Sequence, residues 1–188
     1  MSTPSPVTGF VLAGGRSRRM GRDKSLLDWH GTTLLDHMTR ILATVCDPVR
    51  VVGRDELPDR LPSPGPIGGI ATALDVSRTE NNLIIAVDLP LLTSDFLKYF
   101  KERCRQSNRL LTVCNIESAF PLCLGIRLGL KNILDEYIAS GKRSLHGLIQ
   151  TTVCEIVTAD EVADAGFSEK LFLNINSEAD YRKARPGW

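Results

Sequence analysis

The segment Leu12-Ala-Gly-Gly-Arg-Ser-Arg-Arg-Met-Gly-Arg-Asp-Lys24 concentrates the residue types that hold a polyphosphate. Gly14, Gly15 and Gly21 let backbone N–H groups approach anionic oxygens closely, and Arg16, Arg18, Arg19, Arg22 and Lys24 add positive charge. A run of charges alone reads as a solvated surface loop. The glycines, the terminal lysine and the position directly after an apolar strand-like run favour a phosphate site instead. Neither common phosphate loop fits: five residues separate Gly15 from Gly21 and Lys24 comes three after Gly21, so the P-loop spacing fails, and G-x-G-x-x-G is absent. The segment is long enough to wrap a nucleoside triphosphate rather than cap it with one helical turn.

A second chemical feature is Asp88. It ends the continuous apolar run Leu83–Val87 and precedes Leu89-Pro90, which puts a carboxylate at the C-terminal end of a strand buried on both faces. Magnesium bound with phosphates takes only one or two protein carboxylates and keeps several waters, so one aspartate there suffices. The plainer alternative is a turn or cap residue. His30, His37 and His146 lack metal-ligand spacing, and no Ser-His-Asp or Cys-His arrangement suggests nucleophilic hydrolysis. Cys46, Cys104, Cys114, Cys123 and Cys154 are odd in number and form no C-x-x-C pair, which argues for reduced core thiols rather than a disulfide framework or zinc site.

The elements that must position these groups alternate between short β-rich runs and segments of helical period, the pattern of βαβ units in a mainly parallel sheet covered by helices. The sequence predicts strands at 9–14, 49–52, 83–87, 110–116, 121–126, 153–158 and 172–175. The runs at 110–116 and 121–126 lie close enough to pair antiparallel. Helices are predicted from Leu34, Leu35, His37, Met38, Ile41 and Leu42, and over 70–76, 94–105, 130–139, a short stretch after Arg143, and 177–185. Residues 55–69 carry Pro58, Pro62, Pro64 and Pro66 with three glycines and read as a shaped loop.

At 188 residues the chain is expected to form one domain, with residues 1–8 as a flexible N-terminus. A net charge of +1 gives no global attraction for nucleic acid or a membrane surface, so binding of anions must be local. No stretch reaches about 18 uninterrupted apolar residues and the N-terminus lacks a signal-peptide pattern, so a cytoplasmic protein is expected.

The pattern Leu12-Ala13-Gly14-Gly15-x-Ser17-x-Arg19-Met20-Gly21-x-Asp23-Lys24 resembles the fingerprint of nucleotidyltransferases related to the molybdenum cofactor guanylyltransferases. Pro64-Gly65-Pro66-Ile67-Gly68-Gly69-Ile70 resembles that family's second glycine loop, Asp88-Leu89-Pro90 its metal-binding strand end, and Asn174-x-Asn176-Ser177 its last strand, so the likeness spans roughly residues 9 to 181. The resemblance implies a single Rossmann-like three-layer α/β/α domain, mostly parallel with some antiparallel strands. It also implies transfer of GMP from GTP to the phosphate of Mo-molybdopterin, with magnesium, or manganese in its place, and release of pyrophosphate.

On that reading Arg19 and Lys24 stabilise charge on the leaving oxygens, with backbone from Leu12, Ala13, Gly14, Gly15 and Gly21 around the nucleotide, and Asp88 holds the metal. The family places an acidic residue a few positions before Pro-Gly-Pro as guanine reader; here that is Asp59, with Asp55 and Glu56 as competitors. The chain departs from the family at Gly53, where a polar residue often ends the second strand. Pro121, Lys142 and Arg143 fall where the family shapes its acceptor half, although Gly141-Lys142 equally suits a helix C-cap. Asn174 and Asn176 orient the second substrate or the metal's waters, or help to start the last helix. Two alternatives stand beside the guanylyltransferase: a CTP-dependent sister enzyme, and a non-catalytic GTP-binding module. Molybdoenzymes or their chaperones, and a GTP-binding helper protein, are partners implied by the resemblance alone.

Overall fold

In the computed structural model, which describes residues 5–14, 23–54, 57–59, 61 and 65–185, the chain alternates strands and helices around one main sheet. The elements are β1 (Val7–Leu12), β2 (Asp28–Trp29), β3 (Thr32–Thr33), α1 (Leu34–Ala43), β4 (Val49–Val52), α2 (Pro66–Val76), β5 (Asn81–Ala86), α3 (Ser94–Gln106), β6 (Leu111–Asn115), β7 (Cys123–Arg127), α4 (Leu130–Ala139), α5 (Leu145–Thr151), β8 (Glu155–Thr158), α6 (Ala159–Asp164) and α7 (Glu178–Ala184). The six-stranded sheet runs β4-β1-β5-β7-β6-β8. All neighbours pair parallel except β7, which is antiparallel to both β5 and β6.

Side-chain alternation sends the two faces of the sheet into separate apolar layers. Val7 and Val11 of β1 and Leu83 and Ile85 of β5 pack with Leu34, Met38 and Leu42 of α1 and Phe96, Leu97 and Phe100 of α3. Phe10, Leu12 and Ile84 face the other way, into Ile67, Ile70 and Leu74 of α2 and Leu130 and Leu134 of α4. The three-layer α/β/α architecture expected from the sequence is therefore present. Its parallel strands β4, β1 and β5 end together, where open α/β sheets bind ligands.

Several predicted boundaries move. β1 starts at Val7, because Val7 and Thr8 are buried and pair with Asn81 and Asn82. Helix α2 starts at Pro66, not near residue 70: proline at the first helical position loses no helical hydrogen bond, and Gly68 and Gly69 are helical and buried. The stretch 172–175 is no strand. A 3₁₀ turn covers Glu169–Phe172, and the chain then runs extended beside the end of β5 with one ladder-like bond, Ile175 N to Asp88 O at 2.9 Å. The β2–β3 hairpin and α6 are short, and neither is predicted from apolar period. Among the described residues no helix is long and apolar enough to cross a membrane. The five cysteines are free, and burial pushes the Cys46 and Cys104 thiols up to about 12, which keeps them protonated and inert.

Candidate active site

Three strand ends are tied side by side. Beyond the strands proper, Ala13 N donates to Val52 O at 2.9 Å and Val87 N donates to Leu12 O at 3.1 Å, so the ladder continues until Gly14, Gly53 and Asp88 stand next to one another. Gly53 has φ +87°, a left-handed backbone favouring glycine, and a Cβ there would overlap the Gly14 backbone. This close approach of two backbone segments explains why the strand-end position here is not a polar residue.

Lys24 crosses to the third strand end. It lies in a 3₁₀ turn, Lys24–Leu26, whose N-cap is Asp23. Lys24 Nζ is 3.5 Å from Asp88 Oδ2 and donates to Asn176 Oδ1 at 2.8 Å, so residues 64 and 152 positions apart in sequence meet at one point. The lysine and aspartate side chains keep 17% and 24% of their surface, enough for a substrate to reach them. Burial raises the Asp88 carboxyl above its ordinary value, and the Lys24 ammonium partly opposes that shift.

Asn176 serves two purposes. Its backbone N–H donates to Asp180 Oδ2 at 3.0 Å as part of the start of α7, where Ser177 and Asp180 form a capping box, while its side chain meets Lys24. The α7 segment is itself fastened across the site: Arg185 pairs with Asp28 Oδ2 at 2.7 Å, and the Tyr181 hydroxyl donates to Asp28 O. On the other side His37 Nε2 lies 3.0 Å from Pro90 O, which braces the Asp88-Leu89-Pro90 corner.

Asp59 lies over the glycines. A Cβ built on Gly14 would be 2.6 Å from Asp59 Oδ2, and one on Gly69 would be 3.3 Å from Asp59 Oδ1, so the carboxylate spans the gap between the end of β1 and the first turn of α2. Partial burial raises its pKa. Among the described residues no hydrogen bond engages this carboxylate.

Asp88, Asn176 and Lys24 also bear on a metal. No group of three or more His, Cys, Asp or Glu side chains suited to a metal occurs among the described residues. A lone aspartate with a neighbouring amide oxygen, already holding a cationic ammonium, fits an ion that arrives with phosphates and keeps most of its water.

A cleft of about 640 Å³ is lined by apolar Leu91, Phe120, Pro121 and Phe172 together with Asn174 and the charged Glu117, Glu169, Lys170 and Lys183. Pro121 and Asn174, both predicted from sequence, line it. Lys142 and Arg143 are not among the residues lining it. The Arg143 guanidinium donates to Ile138 O at 2.7 Å and Lys142 O at 2.6 Å, and Lys142 lies over the Tyr137 ring, the geometry of a C-terminal cap on α4.

Leu12, Ala13, Gly14, Lys24, Asp59 and Asp88 thus gather at one end of the sheet, whereas Gly15, Arg19, Gly21, Asp55 and Glu56 lie outside the described residues. Sequence reasoning missed the apolar wall of the cleft, Leu91, Phe120 and Phe172, which come from three separate connections and share no spacing. It also missed Arg54, whose signal was its place one residue beyond Gly53.

Comparison with known proteins agrees with this arrangement. The family model described as MobA-like NTP transferase domain matches residues 9–153. A molybdenum cofactor guanylyltransferase of Xanthomonas euvesicatoria is 32% identical, with 97% of this chain and 96% of that protein covered. A probable molybdenum cofactor guanylyltransferase of Carboxydothermus hydrogenoformans is 28% identical with 94% of each covered. The crystal structure of molybdopterin-guanine dinucleotide biosynthesis protein A from Archaeoglobus fulgidus superposes with a TM-score of 0.81 at 19% identity, covering 94% of this chain and 96% of that one, and so shares the fold.

Proposed function

Since the chain belongs to the MobA-like NTP transferase family, we propose that it transfers GMP from GTP to the terminal phosphate of molybdopterin carrying molybdenum, releasing pyrophosphate and forming the guanine dinucleotide cofactor. The observation that carries the reading is the meeting of Lys24, Asp88 and Asn176 at the strand ends, with a cleft of mixed apolar and charged lining in the same structure.

In the reaction an oxygen of the acceptor phosphate forms a bond to the α-phosphorus of GTP as the bond to the β-phosphate bridging oxygen breaks. Charge accumulates on the leaving pyrophosphate, and a preorganised cation there needs no reorganisation as the barrier is crossed. Lys24 fills that role, and Arg19 is proposed to join it, with N–H groups of the Leu12–Gly15 stretch and Gly21 around the phosphates. Asp88, with Asn176 beside it, would hold magnesium or manganese, which supplies Lewis-acid neutralisation of the phosphate oxygens when bound. Asp59 accepts from the ring N–H and exocyclic amine of guanine, supported by the place of its half-buried carboxylate over Gly14. The acceptor's flat heterocycle fits the cleft between Pro121, Phe120 and Phe172, with Asn174 at its edge. Lys142 and Arg143 serve α4 as a cap in this reading. The reaction belongs to a single cytoplasmic domain.

Pyrophosphate release measured with purified protein, magnesium and each of the four nucleoside triphosphates, with and without molybdopterin carrying molybdenum, tests the proposal. Acceptor-dependent release with GTP is expected. Release with CTP would move the chain to a cytidylyltransferase, and tight GTP binding without turnover would make it a binding module.

A further inference from the structure

Arg54 follows Gly53 at the end of β4, where Gly53 N donates to Leu57 O at 2.7 Å and Leu57 N donates to Arg54 O at 2.9 Å. Its guanidinium forks onto Asp23: Nη1 donates to Oδ2 at 2.5 Å and Nη2 to Oδ1 at 2.7 Å, and Nη2 also reaches the Ser25 hydroxyl. Asp23 in turn accepts from Ser25 N at 3.0 Å and Ser25 Oγ at 2.8 Å, which makes it the N-cap of the turn carrying Lys24. The guanidinium beside Asp23 holds its carboxyl down at about 2, so the pair stays ionised throughout the working pH range.

The geometry matters because of where the partners sit in the chain. Gly14 lies against Gly53, and Asp23 is clasped by Arg54, so the two positions that flank residues 15–22 are fastened to consecutive residues after β4. We infer that Arg54 is a positioning residue for the transfer reaction: through Asp23 it clamps the returning end of the glycine-arginine segment and fixes the turn from which Lys24 reaches Asp88 and Asn176. Lysine has a long, flexible stem, and its ammonium is useful only where its backbone origin is fixed to a fraction of an ångström. A planar, two-pronged guanidinium on a carboxylate supplies that restraint, whereas the Coulombic attraction of a half-exposed pair adds little stability. The inference rests on the nucleotidyltransfer reading above for its effect on rate, but not for its effect on Lys24 itself.

The test uses the full chain with Arg54→Gln, Arg54→Lys, Asp23→Asn and the Asp23→Asn/Arg54→Gln double variant. The first measurement is acylation of Lys24 by an amine-reactive ester, mapped by mass spectrometry, with the exposed Lys98 as internal reference. Arg54→Gln and Asp23→Asn are each expected to raise Lys24 labelling several-fold relative to Lys98. The double variant should match the singles, the non-additivity of residues acting in one chain of contacts. The second measurement is steady-state pyrophosphate release. A fall in kcat of about tenfold or more with KM for GTP nearly unchanged is expected for Arg54→Gln, with partial recovery in Arg54→Lys, which keeps the charge and loses the fork. Unchanged Lys24 labelling in Arg54→Gln overturns the inference, as does a KM rise without loss of kcat, which would make Arg54 a direct nucleotide contact. If the unsubstituted protein releases no pyrophosphate from any of the four triphosphates, the nucleotidyltransfer reading fails, and the labelling still decides the clamp.

Discussion

Replacing Asp88 by asparagine should separate chemistry from folding. The Lys24 ammonium 3.5 Å from Asp88 attracts it by about 5 kcal/mol at an effective dielectric near 20, and both groups retain some solvent that reduces this further. Removing a carboxylate from water costs several kcal/mol, and here burial is the larger influence, because it raises the carboxyl pKa despite the lysine. A raised acid binds its proton more tightly in the native chain than in the unfolded one. Its stabilising contribution is therefore complete below the unfolded value of about 3.9 and is lost as pH rises through the folded value. At neutral pH that contribution is smaller than at low pH, so burial of Asp88 weighs against folding there. Asparagine has the same shape, keeps an oxygen for Lys24 and removes that burden, so Tm should hold or rise by a few degrees, about 2–4 °C per kcal/mol at this chain length. On the proposed reading transfer should fall about a thousandfold, roughly 4 kcal/mol, because the carboxylate that would hold the metal is lost. Thermal unfolding and pyrophosphate release with GTP, magnesium and acceptor, run in one neutral buffer, measure both. Turnover within tenfold of the parent would refute the role of Asp88. A Tm lowered by more than about 5 °C would refute the balance between ion pair and burial.

Asp59→Ala should cost little stability and erode the preference for GTP over the other three triphosphates; competition kinetics with unchanged selectivity would mean that another group reads the base. Gly53→Ala puts a side chain at φ +87° against the Gly14 backbone, which cannot swing aside as a side chain can. A loss of about 2 kcal/mol or more is expected from denaturant titration, together with weakened GTP binding as Gly14 is displaced, and an unchanged midpoint would count against the close approach. His37 should titrate below its ordinary value of about 6.5 because burial disfavours its charged form. The unfolded chain then takes up protons more readily, so stability is complete above about pH 6.5 and declines as pH falls through the folded value. His37→Gln, which can still offer an N–H to Pro90 O, should flatten that decline, and a denaturation midpoint with the same slope between pH 7 and 5 as the parent would remove His37 from the account.

The sequence by itself determined the local decisions. Apolar run lengths and helical period pointed to βαβ units in a mainly parallel sheet covered by helices, and the continuous apolar run Leu83–Val87 put Asp88 at a strand end, because those signals depend on neighbours within a few residues. The glycine and lysine spacing of Leu12–Lys24 likewise pointed to a phosphate site without coordinates. What the tertiary structure alone decided is which distant groups meet. Asn176 reaches Lys24 because α7 is pinned to Asp28 through Arg185 and Tyr181, and Arg54 finds Asp23 because β4 lies beside β1 in the sheet. The Phe172–Ile175 stretch has strand composition yet runs as a 3₁₀ turn and an extended segment, since its place beside β5 leaves it one bond to Asp88 rather than a ladder. The walls of the cleft lined by Leu91, Phe120 and Phe172 come from connections with no common period. Their convergence follows from sheet order, β7 lying between β5 and β6, and sheet order is set by packing across the whole chain rather than by any window of it.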